Sequence, residues 1–160
     1  SERAIALQGK NKLSREEIAG ILGQITTEWN FDVAKKKAAD NLTVAKAADK
    51  GDCSILAPND GTARAIADEF SKDPDVTSYT ITGQDAEAAS LDYIASGKQT
   101  MTVWKNTSTL AADAIAMATD ILAGKKPSTS STYNNGIKDI PAKQTAVTVL
   151  TKDNLNIYSK

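Results

Sequence analysis

A chain of 160 residues, 41% hydrophobic and 24% charged, carries enough apolar mass for one good core, so a single domain spanning 1–160 is the expectation. Its 19 basic residues against 20 acidic ones leave a net charge of -1, which gives no electrostatic reason to bind nucleic acid or an anionic membrane. With no histidine and Cys53 as the sole cysteine, a disulfide framework and the usual zinc sites are excluded, no cofactor is expected, and the commonest general base is absent.

Along the chain, short apolar runs alternate with segments of helical period, the pattern of parallel strands joined by crossover helices. RAIALQ, 3–8, reads as a strand, and Ser14 with Glu17 makes a capping box for a short helix ended at Gly23. QITTEW, 24–29, is β-branched and reads as a second strand. Residues 32–46 then place Val33, Ala34, Ala38 and Leu42 on one weakly apolar helical face, with Lys35, Lys36 and Lys37 on the solvated side. A third strand, 53–57, leads through PNDGT into a helix marked by Ala63, Ile66, Ala67 and Phe70. VTSYTIT, 76–82, is a fourth strand, followed by a helix with Ala88, Leu91, Ile94 and Ala95 that stops at Gly97. QTMTVW, 99–104, is a fifth, and 108–123 is the longest helix, with a broad apolar stripe ended by Gly124 and Pro127. STSSTYNNG, 128–136, is polar and turn-rich, and TAVTVL, 145–150, reads as a last strand. The expected class is α/β: a doubly wound parallel sheet flanked by helices. No apolar run approaches the roughly 20 residues needed to cross a bilayer, and the opening SERAIALQGKNK lacks the long apolar core of a signal peptide.

In open parallel α/β sheets the ligand site lies outside the carboxyl ends of the strands. Those ends carry Glu28 and Trp29, Asn59 and Asp60, Gln84 and Asp85, and Lys105 and Asn106. Carboxylates and amides accept from vicinal hydroxyls, Lys and Asn donate to them, and an indole face covers the C–H side of a sugar ring, so the set suits a small neutral polyhydroxyl ligand. A second reading stands beside each residue. Asn59 or Asp60 is a good N-cap for the helix that follows, Asp85 for the next one, Trp29 is a packing anchor and Lys105 a solvated lysine.

Four stretches taken together, LAPNDGTA (56–63), TGQDAEAAS (82–90), GKQTMTVWK (97–105) and NNGIKDIPA (134–142), resemble the type I periplasmic sugar-binding proteins of ABC transporters, in their xylose- and multiple-sugar-binding branch. The resemblance runs from about Trp29 to Leu155 and is weaker over the first 28 residues. It implies a two-lobed fold that closes on a sugar about a hinge, of which this chain matches only the C-terminal lobe. It implies that Asn59, Asp85 and Lys105 hydrogen-bond the sugar and that Trp29 stacks on it; Asp60 and Gln84 belong to the motifs, with less weight on direct contact. Where relatives carry W-V-x-x-W, TTEWNFD has one tryptophan, aligned with the second; VAKAADKGD before Cys53 reads as an insertion. It implies hinge strands near 4–8 and 140–147, the latter within a hinge-proximal segment, 128–147.

The function so implied is the monosaccharide-binding component of an ABC-type importer, binding a pentose or hexose, located outside the cytoplasm in a periplasm or as a surface lipoprotein, and delivering to a membrane permease. Without the N-terminal lobe, weak binding and self-association of the exposed cleft face are expected. Two other functional classes are compatible with parts of this pattern. One is the effector-binding core of a lac-repressor-type regulator, which shares the fold. The other is an enzyme using Asp60 and Asp85 as a Mg²⁺ or phosphoacceptor pair, which no Walker motif, G-x-S-x-G elbow or histidine supports. No enzymatic activity is expected.

Overall fold

The computed structural model describes residues 27–158. The strand expected at 3–8, the helix at 14–22 and the start of the strand expected at 24–29 lie outside the described residues. Where that last strand was to end, Thr27–Trp29 form a 3-10 turn instead. The next residue dictates this. Asn30 caps the first described helix, its Oδ1 accepting from the Asp32 and Val33 amides at 3.0 and 3.2 Å, so the chain has already bent away from an extended path.

That helix, α1 (Phe31–Val44), buries Ala34, Ala38 and Leu42, four residues apart on one face, while Val33 turns to the surface. Small residues at the contact let it pack closely on α2 (Asp60–Phe70), which buries Ala63 and Ala67. Strand β1 (Asp52–Ile55) pairs in parallel with β2 (Ser78–Ile81), in the register Asp52↔Ser78 to Ile55↔Ile81. Beyond β2 the chain runs on beside β3 (Met101–Lys105): the Val103 amide donates to the Gly83 carbonyl at 3.1 Å, and the Asp85 amide to the Val103 carbonyl at 2.9 Å. Three parallel strands therefore stand in the order β1-β2-β3, their carboxyl ends on one side. The core lies between this sheet and the helices, around Ala57, Ala63, Ala67 and Ile81, with Ile55, Ile66, Tyr79 and Tyr93 against it. Helix α3 (Ala88–Ser96) ends as expected at Gly97, whose φ of 83° satisfies the left-handed C-cap.

The sheet departs from an all-parallel one at its last strand. The segment read as a polar break, 128–136, holds strand β4 (Ser131–Asn134), which forms an antiparallel hairpin with β5 (Asp139–Ala142) just beyond it. The following strand, β6 (Val147–Thr151), then pairs antiparallel with β3, Met101 opposite Thr151. A parallel return needs a crossover of a dozen or more residues, usually a helix; here the hairpin takes that length and the chain comes back in the opposite sense. Helix α4 (Thr107–Leu122) matches its expected span, yet none of its residues is buried, and Ile115 and Leu122 are 68% and 88% exposed. Among the described residues nothing covers its apolar stripe.

Candidate functional site

The turn from β1 into α2 uses Asn59 as the helix N-cap: its Oδ1 accepts from the Thr62 amide at 3.1 Å and the Thr62 hydroxyl at 2.6 Å. The capping role expected of Asn59 or Asp60 thus falls to Asn59, and its Nδ2 is the donor that capping does not use. Asp60 does not face the opening. It is fully buried, its amide donating to the Gln84 carbonyl at 2.9 Å, its Oδ2 accepting from the Glu87 amide and its Oδ1 from Gln99 Nε2, both at 2.9 Å. Burial pushes its carboxyl above the ordinary aspartate range, against hydrogen bonds from Thr102, Gln99 and the Glu87 amide that pull it down. The direct contact expected with less weight for Asp60 is replaced by a role beneath the loop, because a carboxylate fully enclosed among donors has no face left for a ligand.

Through these bonds the β1–α2 junction sits against the loop after β2. In that loop Asp85 and Ala86 adopt φ values of 102° and 54°. Glu28 and Trp29 have φ values of 56° and 55°, and these four are the non-glycine residues with positive φ among those described. Each such residue costs about 1–3 kcal/mol and persists only where its surroundings over-determine it. Strain is thus confined to the two segments that carry the expected stacking and acidic residues. Asp85 does not cap α3; Glu87 occupies the cap position without a side-chain cap bond. Instead the Asp85 carboxylate meets Lys105 Nζ at 3.0 Å, the two side chains 40% and 38% exposed. Gln84 is partly buried, and its backbone bridges to Val103. Asn106 caps α4, Oδ1 accepting from the Thr109 amide at 3.0 Å.

Trp29 is 58% exposed and borders two depressions. One, of 760 Å³ and largely apolar, lies among Trp29, Ala38, Ile55, Leu56, Ile66 and Phe70. The other, of 530 Å³, holds Trp29 with Asn59, Arg64, Asp68, Glu87 and Tyr93, and there Arg64 pairs with Glu87 at 2.6 Å and donates to Ser90 at 2.7 Å. Asp85 and Lys105 line neither; they stand on the open rim at the strand ends. The structure therefore brings Asn59, Asp85 and Lys105 to one edge of the sheet, leaves Trp29 exposed beside Asn59, and withdraws Asp60. Asp60 and Asp85 do not form a shared carboxylate pair, since one is enclosed by donors and the other bonds a lysine. Among the described residues no group of three or more metal-ligating side chains gathers, and no helix is long and apolar enough to cross a membrane.

Sequence reasoning missed Gly83, Gln99 and Thr102, all buried beneath the loop. A Cβ on Gly83 would run into the Asp60 carboxylate and the Gln99 amide, and come within 3.2 Å of the Met101 carbonyl. The signal was the glycine placed directly before Gln84-Asp85. Arg64 was missed as well, and no local pattern marks it.

Residues 6–126 match the periplasmic binding protein domain family. The chain belongs to that family. Among periplasmic binding proteins it is similar to a carbohydrate transporter solute-binding protein from Chloroflexus aurantiacus crystallised with D-glucose, at 56% identity and a TM-score of 0.82 over 98% of this chain and 46% of that one. It is 35% identical over 102 residues to the D-xylose-binding periplasmic protein of Escherichia coli K12, covering 64% of this chain and 31% of the relative. To the D-xylose-binding periplasmic protein of Haemophilus influenzae it is 30% identical over 139 residues, covering 86% and 42%. A solute-binding protein from Clostridium phytofermentans, at 24% identity and a TM-score of 0.69, shares the fold. The chain spans less than half the length of each of these relatives.

Proposed function

We propose that this chain supplies the C-terminal wall of the sugar site in a two-lobed receptor that feeds a monosaccharide to an ABC-type permease outside the cytoplasm. The observation that carries the reading is the Asp85–Lys105 pair at 3.0 Å on neighbouring strand ends, partly open to solvent. A carboxylate and an ammonium so placed exchange their mutual bond for vicinal hydroxyls, the carboxylate accepting and the ammonium donating. Asn59 Nδ2 adds a donor, and Trp29, exposed and held by a strained backbone, offers an apolar ring face to the C–H side of a pyranose. Gln84 lies at the margin of this set. The relatives that bind D-glucose or D-xylose support a hexose or pentose as the ligand class. Trp29, 58% exposed, supports self-association of the lobe on its own through its cleft face.

The test is a thermal-shift screen of a two-lobed form carrying this chain against xylose, glucose, galactose, arabinose and ribose. One or more sugars raise the unfolding midpoint, and Asp85→Ala abolishes that rise. An undiminished shift in Asp85→Ala removes Asp85 from the site.

A further inference from the structure

The Asp85 carboxylate owes its direction to a backbone that most residues avoid, and the contacts that hold that backbone converge on one buried side chain. Asp60 grips the loop on both sides of the strained pair: its amide donates to the carbonyl of Gln84, just before Asp85, and its Oδ2 accepts from the amide of Glu87, just after Ala86, each at 2.9 Å. Between these, the Asp85 amide is tied to the Val103 carbonyl at 2.9 Å and the Ala86 amide to Thr102 Oγ1 at 3.2 Å. Gln99 fixes the carboxylate from beneath. Its Nε2 donates both to Asp60 Oδ1 at 2.9 Å and to the Met101 carbonyl at 3.0 Å, and two acceptors on one nitrogen forbid the flipped amide. That orientation leaves Gln99 Oε1 buried without a hydrogen-bond partner among the described residues, a cost accepted to keep the donor on Asp60.

We propose that Asp60 and Thr102 are positioning residues: they touch no ligand, and they hold Asp85 and Ala86 in left-handed backbone so that the Asp85 carboxylate stands ready on the rim beside Lys105. A carboxylate suits the place because it offers acceptors on both oxygens, one for the Glu87 amide and one for Gln99. The affinity arm of the test rests on the sugar-binding reading above; the exchange arm does not.

Hydrogen exchange on the 160-residue chain decides the matter. In Asp60→Asn one of the two acceptors becomes an NH2 group facing a donor, so the amides of Asp85, Ala86 and Glu87 exchange about ten-fold faster while interior amides of α1 and α2 keep their rates. Unchanged exchange at 85–87, or an equal rise through both helices, overturns the inference. If Asp60→Asn does not fold, the isosteric Thr102→Val decides instead: it removes the acceptor for the Ala86 amide, and exchange there rises; no rise overturns the inference. In the two-lobed form, Asp60→Asn lowers sugar affinity about ten-fold although the side chain is buried away from the rim. Exchange unchanged alongside an intact Asp85→Ala effect refutes the positioning role and spares the sugar site.

Discussion

Gly83 illustrates how tightly the residues beneath the loop are set. Its backbone is not left-handed, so glycine is needed here for space alone: a methyl group would overlap the Asp60 carboxylate and the Gln99 amide, both fully buried and both bonded in place. Neither can give way without breaking a hydrogen bond in a site closed to water, where an unmade bond is expensive. Gly83→Ala is therefore expected to destabilise the chain by about 1–3 kcal/mol, the usual range for overpacking. Denaturant unfolding of the two proteins measures it. A midpoint that does not move would mean the loop shifts freely, and the rigid packing inferred around Asp60 would fall with it. The Lys50–Asp73 pair at 2.9 Å, its side chains 11% and 14% exposed, is a second well-covered polar contact, remote from the rim. There the lysine hydrogen bond holds the Asp73 carboxyl below its ordinary range, the opposite direction to Asp60.

At the level of elements, the cap of α2 and the proposed sugar contact meet in one residue, Asn59, and the two roles are separable. Asn59 Oδ1 is committed to Thr62, while Nδ2 is the group that the proposed site would present to a sugar. Aspartate caps as well as asparagine but has no donor. Asn59→Asp should thus keep the helix and its stability, within about 0.5 kcal/mol, and lose sugar binding in a two-lobed form; Asn59→Ala should lose both, with about 1 kcal/mol of stability gone. Paired thermal melts and sugar titrations separate the outcomes, and full binding by the aspartate variant would reduce Asn59 to a cap alone. The start of this helix was legible in the sequence because capping chemistry is local. The apolar periods of α1 to α4 and the stop at Gly97 were legible for the same reason. What sequence could not yield was decided by distant partners. Asp60 looked like Asn59's neighbour at a strand end, and only Gln99, 39 residues on, and the Glu87 amide turn it inward. The antiparallel sense of β6 hung on the β4–β5 hairpin, whose Asn135-Gly136 turn, with Gly136 at φ 87°, was present in NNG but was absorbed into a polar break. The 3-10 turn at Thr27–Trp29 replaced a strand because β-branched residues state a preference that a helix cap at Asn30 overrides.

At the scale of the whole molecule, the proposed site offers one wall. Trp29, Asp85 and Lys105 are each about 40% exposed or more, and neither of the two depressions beside Trp29 encloses the Asp85–Lys105 pair. A site of useful affinity usually covers about 70–90% of a small ligand, which a single rim cannot do. A monosaccharide lying on it would keep its outer face in water, and hydroxyl contacts made at an open surface gain little over those the sugar already makes with solvent. The translational and rotational freedom lost on binding is the same as in an enclosed site, so the deficit falls directly on the affinity. The 160-residue chain on its own is therefore expected to bind glucose or xylose with a Kd of about 1 mM or weaker, about -4 kcal/mol, and to gain affinity only when a second lobe covers the rim. Calorimetric titration of the chain alone, followed by the same titration with the covering lobe present, measures both quantities. Sub-micromolar binding by the chain alone would mean that Trp29, Asn59, Asp85 and Lys105 form a complete site without a partner, and that the strained backbone at Glu28–Trp29 and Asp85–Ala86 folds over the ligand rather than waiting for a facing surface.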